Sequence, residues 1–281
     1  MASAWLRGIR VVGLVVNIPG PYAVARMRAM GAETIKVEPP EGDPLAAVCP
    51  AYHDALNAGA KVIRLDLKTT QGMTAFHDLL QDADLLITTQ RPAALERLRL
   101  SWDALHSRHP RLCHVAIVGY PPPRAEVAGH DLTYQAHMGL IDGDRMPRTL
   151  SADILGAEHA VSAAAALLFA RERRAQAGQC LVSLAEAAHH LAKPFQCGLT
   201  APGGPLGGGL PIYRIYPAKE GRVAVASLEP HFTEKLRQAL GLSRLSGETI
   251  GAALRTRTAA EWEAWAKTLD LPLAAVREWP Q

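Results

Sequence analysis

Three residues of this sequence combine a reactive side chain with a place where an element meets a loop. His130 lies in "PPPRAEVAGHDLTYQAHMG", Asp153 in "LSADILG" and Glu229 in "VAVASLEPHF". An imidazole exchanges protons near neutrality, its unperturbed pKa being about 6.5, and a carboxylate serves as base or nucleophile. Loop and element ends are where α/β proteins put such groups. Each residue also has a plainer reading. His130 merely precedes a short helix that Asp131 caps, and Asp153 N-caps the helix it opens. Glu229, ahead of Pro230, is a first-turn acid favoured by the helix dipole. Residue type and spacing leave both readings open.

Other chemistries are excluded more firmly. Cys49, Cys113, Cys180 and Cys197 form no C-x-x-C pair, which argues against a zinc knuckle or disulfide framework and fits a reducing compartment. The chain has no G-x-S-x-G elbow, no H-E-x-x-H metal spacing and no Walker lysine. "PLGGGLP" does not open a helix after a strand, so it reads as a hinge rather than a phosphate cradle. The adjacent His189 and His190 would point about 100° apart on a helix and cannot chelate together. A formal charge of +3 with no dense Lys/Arg run gives no case for nucleic acid, although it suits an anionic small molecule. The run "VVGLVV" is too short for a membrane span or signal peptide and reads as a buried strand, so a cytoplasmic protein is expected.

The elements that must position these residues follow from periodicity. Strand-like runs at 9–16, 34–38, 61–67, 84–89 and 112–120 alternate with helical segments at 22–32, 70–81, 92–99 and 101–107. Short loops between them predict parallel βα units with helices on the sheet faces. An alanine-rich helix is predicted from Asp153 to about residue 175, then a strand at 180–186. The Gly/Pro-rich stretch 199–211 marks a domain boundary. Beyond it lie a hairpin turning at 219–221 and helices near 230–241 and 258–269. Trp262 and Trp265, three apart on the second of these, read as core. With 281 residues and 48% hydrophobic composition, the chain can bury one large and one smaller core.

Ordered blocks along nearly the whole chain resemble one family. "GPYAVARMRAMGAETIKVEPPEGDP", "LNAGAKVIRLDLKTTQG", "DADLLITTQRPAALERLRLSWDAL" and "HPRLCHVAIVGY" are similar to successive blocks of the class III coenzyme A transferase superfamily. "AGHDLTY" is most similar to its α-methylacyl-CoA racemase branch. The resemblance implies an α/β fold, with a large Rossmann-like domain on a parallel sheet at 1–198 and a smaller α+β domain at 199–281. It also implies a homodimer of two interlocked chains. His130, Asp153 and Glu229 match the catalytic positions. Gly129, Asp131, Tyr134, Lys61, Lys68, Arg91 and Arg97 would contribute to binding coenzyme A, the four cations toward its phosphates. Coenzyme A would arrive as part of an acyl-CoA substrate, with no permanently bound cofactor, no metal, no nucleic acid and no membrane partner.

Inverting a carbon beside a thioester needs a base on one face and an acid on the other. By resemblance His130 takes one side and Asp153 the other, its carboxylate held ionised by the helix N-terminus, while Glu229 supports the imidazole. In the transferase branch the aspartate matching Asp153 attacks the thioester and carries the acyl group. The chain departs from the pattern at Pro39, where an arginine is usual, and at Ala58 and Ala60. Each lost cation removes a charge-assisted contact of about 1.5–3 kcal/mol. The family's closing return segment is not matched at "PLAAVREWPQ", and the loop after "GDP" is short. Racemase, CoA transferase and a non-catalytic binding relative are the three expectations.

Overall fold

The computed structural model describes residues 4–174 and 176–278. The chain divides into two compact units, Met1–Leu191 and Ala192–Gln281. In the first, the elements run β1 (Arg10–Leu14), α1 (Pro19–Ala29), β2 (Glu33–Glu38), α2 (Leu45–Val48), α3 (Pro50–Asn57), β3 (Lys61–Arg64) and α4 (Thr70–Gln81). Next come β4 (Leu85–Thr88), α5 (Pro92–Arg97), α6 (Trp102–Arg108), β5 (Cys113–Val118), α7 (Asp131–His137), α8 (Ser151–Arg174), β6 (Gln179–Ser183) and α9 (Leu184–Gln196), which crosses the boundary. The strands form one parallel sheet in the order β3-β2-β1-β4-β5-β6. This is the doubly wound order, whose switch point lies between β1 and β4.

Period-2 alternation sends successive residues to opposite faces. Val11, Leu85, Ile87, Val115 and Ile117 face α1 and α8, whereas Val12, Leu14 and Leu86 meet Phe76, Leu80 and Leu105. Both faces are covered, so β5 reads as an unbroken buried run, CHVAIV. Among the described residues α8 is the one helix long and apolar enough to cross a membrane. Its residues Ala152, Gly156, Ala157, Ala160, Ala164 and Leu168 recur every three or four positions, forming a buried stripe. Near its far end the buried Arg171 donates to the Asp84 carboxylate at 2.9 Å and to the Arg111 carbonyl at 3.1 Å.

Helix α4 coincides with the predicted 70–81, capped by Thr69, whose hydroxyl accepts the Gly72 N–H at 3.0 Å. The strand expected at 180–186 ends earlier, at Ser183. The Ser183 hydroxyl accepts the Glu186 N–H at 3.2 Å and starts α9 with neither glycine nor proline to signal it.

The second unit contains β7 (Tyr213–Pro217), β8 (Arg222–Ala226), α10 (Pro230–Ala239), α11 (Gly247–Leu254), α12 (Ala259–Thr268) and β9 (Leu273–Ala275). Its antiparallel sheet, in the order β7-β8-β9, makes it an α+β unit. The β7–β8 hairpin turns where expected, with Gly221 at φ 78°. Val223, Val225, Leu236, Ile250 and Trp262 form its core. Trp262 donates its indole N–H to the Leu254 carbonyl at 2.7 Å and meets Trp265 edge-on, 4.9 Å between ring centres.

Candidate active site

Parallel strands aim their carboxyl ends at one edge of the sheet, and there the chain assembles a cavity of about 300 Å³. Asn17 and Val16 follow β1, Arg91 follows β4, Gly119 follows β5, and Gly129, His130, Tyr134 and Asp153 complete the walls. The cavity sits at the switch point, where ligands of doubly wound sheets bind. Asn17 holds a left-handed φ of 67°. Its N–H donates to Asp43 Oδ1 at 2.9 Å, and the other Asp43 oxygen takes the Lys36 ammonium at 2.5 Å. Lys36 also lies 3.0 Å from Glu38 Oε1, and all three side chains are buried. This ion cluster clamps the loop that walls the cavity. Among the described residues Glu38, Asp43 and His53 bring ligand atoms within 4.8 Å of one another. There the Lys36 ammonium supplies the positive charge.

His130 is the N-cap residue of α7 in an extended conformation. Its N–H donates to Thr133 Oγ1 at 3.0 Å and its carbonyl accepts the same hydroxyl's proton at 2.7 Å. The backbone is thereby held while the residue stays exposed on the cavity wall.

Two expectations about the acids are corrected. Asp131 does not cap its own helix: it is the first residue of α7, and it caps α8 instead. Its Oδ1 accepts the N–H groups of Ala152 at 2.8 Å and Asp153 at 3.0 Å, and its Oδ2 accepts the Gln135 side-chain amide at 2.5 Å. Asp131 is buried and both its oxygens are engaged within the protein. Asp153 is the third residue of α8, not its cap, and the helix end does not keep its carboxyl group in the ordinary acidic range. Burial first, and the Asp131 carboxylate second, push its pKa up to about 7. Loss of water around the carboxylate outweighs the dipole.

Tyr134 is buried, and burial, then the charges of Asp153 and Tyr120, push its pKa to about 12, so it remains a phenol able to donate. A side chain at Gly119 would strike its hydroxyl, and one at Gly129 its ring. Gly129 thus makes room for Tyr134 as well as lining the cavity. Tyr52 on α3 was not singled out from the sequence. Burial raises its pKa, followed by the charges of Tyr22 and Asp153, which places its hydroxyl in the surroundings of Asp153. Nothing in "PAYHDALN" marks it.

The expected phosphate ligands separate. Arg91 lines the Asp153 cavity, whereas Lys68 and Arg97 line a cleft of about 860 Å³ that also holds Arg99, Arg108 and His77. A cavity of about 250 Å³, walled by Pro39, Leu14 and Leu65, lies between them. It shares Val16 with the Asp153 cavity and Leu67, Lys68 and Leu98 with the cleft. The larger volume carries cations and the smaller carries the acid–base groups. Lys61 opens edge strand β3 and lines none of the three. Glu229, in the second unit, is the exposed N-cap residue of α10.

The profile of CoA-transferase family III matches residues 6–281. The chain belongs to that family. Mouse alpha-methylacyl-CoA racemase is 29% identical over 255 residues, covering 84% of this chain and 65% of the racemase. Cinnamoyl-CoA:phenyllactate CoA-transferase of Clostridium sporogenes is 33% identical, covering 48% of this chain and 36% of that enzyme. The chain thus spans less than two thirds of these relatives' length. A hypothetical protein from Mycobacterium tuberculosis superposes with a TM-score of 0.82 at 25% identity, over 98% of this chain and 84% of that one. A CAIB/BAIF family protein from Brucella suis superposes with a TM-score of 0.79 at 24% identity, over 97% of this chain and 84% of that one. Relatives within CoA-transferase family III thus include both racemases and transferases.

Proposed function

We propose that this protein processes acyl-CoA thioesters, racemising a 2-methylacyl group by moving the proton on the carbon beside the thioester. The observation that carries the reading is that His130 and Asp153 wall one cavity, with the Asp153 carboxyl poised near neutrality. A racemase needs one group that holds a proton and one that lacks it, and a carboxyl titrating at about 7 serves in either state. One residue removes the α-proton, the thioester oxygen carries the enolate charge, and the other residue returns a proton to the opposite face. The Tyr134 phenol, the Arg91 guanidinium and the first N–H groups of α7 supply donors to that oxygen. The three neighbouring cavities suit a thioester on a long arm with an anionic far end, the cations of the cleft replacing those missing at Pro39, Ala58 and Ala60. By the family resemblance Glu229 stays assigned to the catalytic set, and the working unit to an interlocked cytoplasmic homodimer.

The transferase relative favours a second reading, in which ionised Asp153 attacks the thioester carbonyl, expels CoA thiolate and forms a mixed anhydride. Calorimetric titration with CoA and acetyl-CoA tests the ligand. Incubating a 2-methylacyl-CoA in deuterium oxide separates the chemistries. Racemisation puts deuterium on the α-carbon without an acceptor acid, and transfer needs the acceptor and labels nothing. Absence of binding at millimolar CoA would refute both and leave a non-catalytic relative.

A further inference from the structure

Asp131 lines none of the three cavities described above, yet it is bonded directly to the Asp153 backbone. Its Oδ1 accepts the Asp153 N–H at 3.0 Å and the neighbouring Ala152 N–H at 2.8 Å across more than twenty residues of chain. Gln135 fixes its other oxygen at 2.5 Å and reaches on to the Thr149 carbonyl at 3.1 Å. Around Asp153 stand Tyr52 from α3 with Tyr22 of α1 beside it, His130 and Tyr134 from α7, and Arg91 ahead of α5. Glu158, one turn further along α8, is held by Arg26 at 2.7 Å and Tyr22 at 3.2 Å. Asp131 is therefore the acid of this group that is buried, bonded to the Asp153 backbone and unpaired with any cation among the described residues.

We propose that Asp131 is a positioning residue: through these backbone hydrogen bonds and its buried charge it places the Asp153 carboxyl group and sets which protonation state the site holds. A serine or threonine would cap α8 as well, since capping needs only an acceptor. A carboxylate adds a negative charge beside a group that is itself an acid, and like charges that close disfavour double ionisation. The cap therefore doubles as the device that keeps a proton available on Asp153 at neutral pH. This rests on Asp153 being the reacting acid, but its physical core is testable without turnover.

The probe is Asp131→Asn, which keeps an acceptor for the two N–H groups and removes the charge. Carbon-13 NMR of aspartate-labelled full-length protein, with Asp153→Asn identifying the resonance, reads the Asp153 midpoint directly. The expected result is a fall from about 7 by less than half of the total rise, because burial is the larger cause. Asp131→Glu, which restores the charge, should recover most of the midpoint. An unmoved midpoint in folded Asp131→Asn overturns the proposal. With a turnover assay, the pH limb assigned to Asp153 should move with the midpoint. If it stays while the NMR midpoint moves, the tuning stands and the assignment of Asp153 to the chemistry falls.

Discussion

Replacing Asp153 by asparagine should stabilise this protein, by an amount that grows as pH rises from about 4 to about 7 and then levels off. The folded carboxyl titrates near 7 against 3.8 for the free group. Its raised pKa means that the folded state binds the proton more tightly than the unfolded chain does. The associated stability is complete below the unfolded pKa and is lost as pH rises through the folded one. A gap of about three pH units corresponds to about 4 kcal/mol. The wild type should therefore carry a penalty of about 4 kcal/mol above about pH 8, falling to less than about 1 kcal/mol near pH 4. Asparagine has no charge to desolvate and escapes it. Urea denaturation of both proteins near pH 9 and near pH 4 gives the comparison, the difference between them being the observable. The difference should reach several kcal/mol at the higher pH and nearly vanish at the lower. A difference that is flat with pH would refute the account of Asp153 as a strained, half-neutral acid. The same variant should lose α-proton exchange, a trade of function against stability expected at active sites.

Gly129→Ala should cost about 1–3 kcal/mol because its Cβ would strike the Tyr134 ring. The double variant with Tyr134→Leu should recover part of that in a thermal-melt cycle. Lys36→Met leaves the buried Glu38 and Asp43 carboxylates without their ammonium, and urea midpoints should report a loss of about 3–5 kcal/mol. Arg99→Ala and Arg108→Ala should each weaken CoA binding by about ten- to a hundredfold in calorimetry, from a lost contact of about 1.5–3 kcal/mol. An unchanged Kd in both would move the anionic end of the ligand elsewhere.

The parallel βα alternation was legible because the strands are short apolar runs and helix starts carry local signals, such as the Thr69 cap of α4. Strand order was not, since nothing local states that β4 returns beside β1. The start of α9 was missed because Ser183 caps it inside an apolar run. Helix α11 was passed over although Ser246 and Thr249 form its capping box. At the site, His130 and Asp153 were readable by resemblance, and the structure puts both on one cavity. The charge state of Asp153 was not readable. The dipole argument considers one helix, whereas the deciding terms are burial by the surrounding fold and a carboxylate 22 positions earlier in the chain. Tyr52, Arg99 and Arg108 reach their places only through tertiary packing, and no spacing rule finds them.

The direct joining of α7 to α8 also decides where this protein can change without harm. The starts of the two helices are fastened to each other by Asp131 and Gln135, not by the chain that runs between them. Residues 139–148 are mostly exposed, and their length carries no information about where His130 and Asp153 sit. That loop is mechanical slack. It can lengthen, shorten or accept a grafted peptide beside the cavity while the placement of His130 and Asp153 is inherited intact.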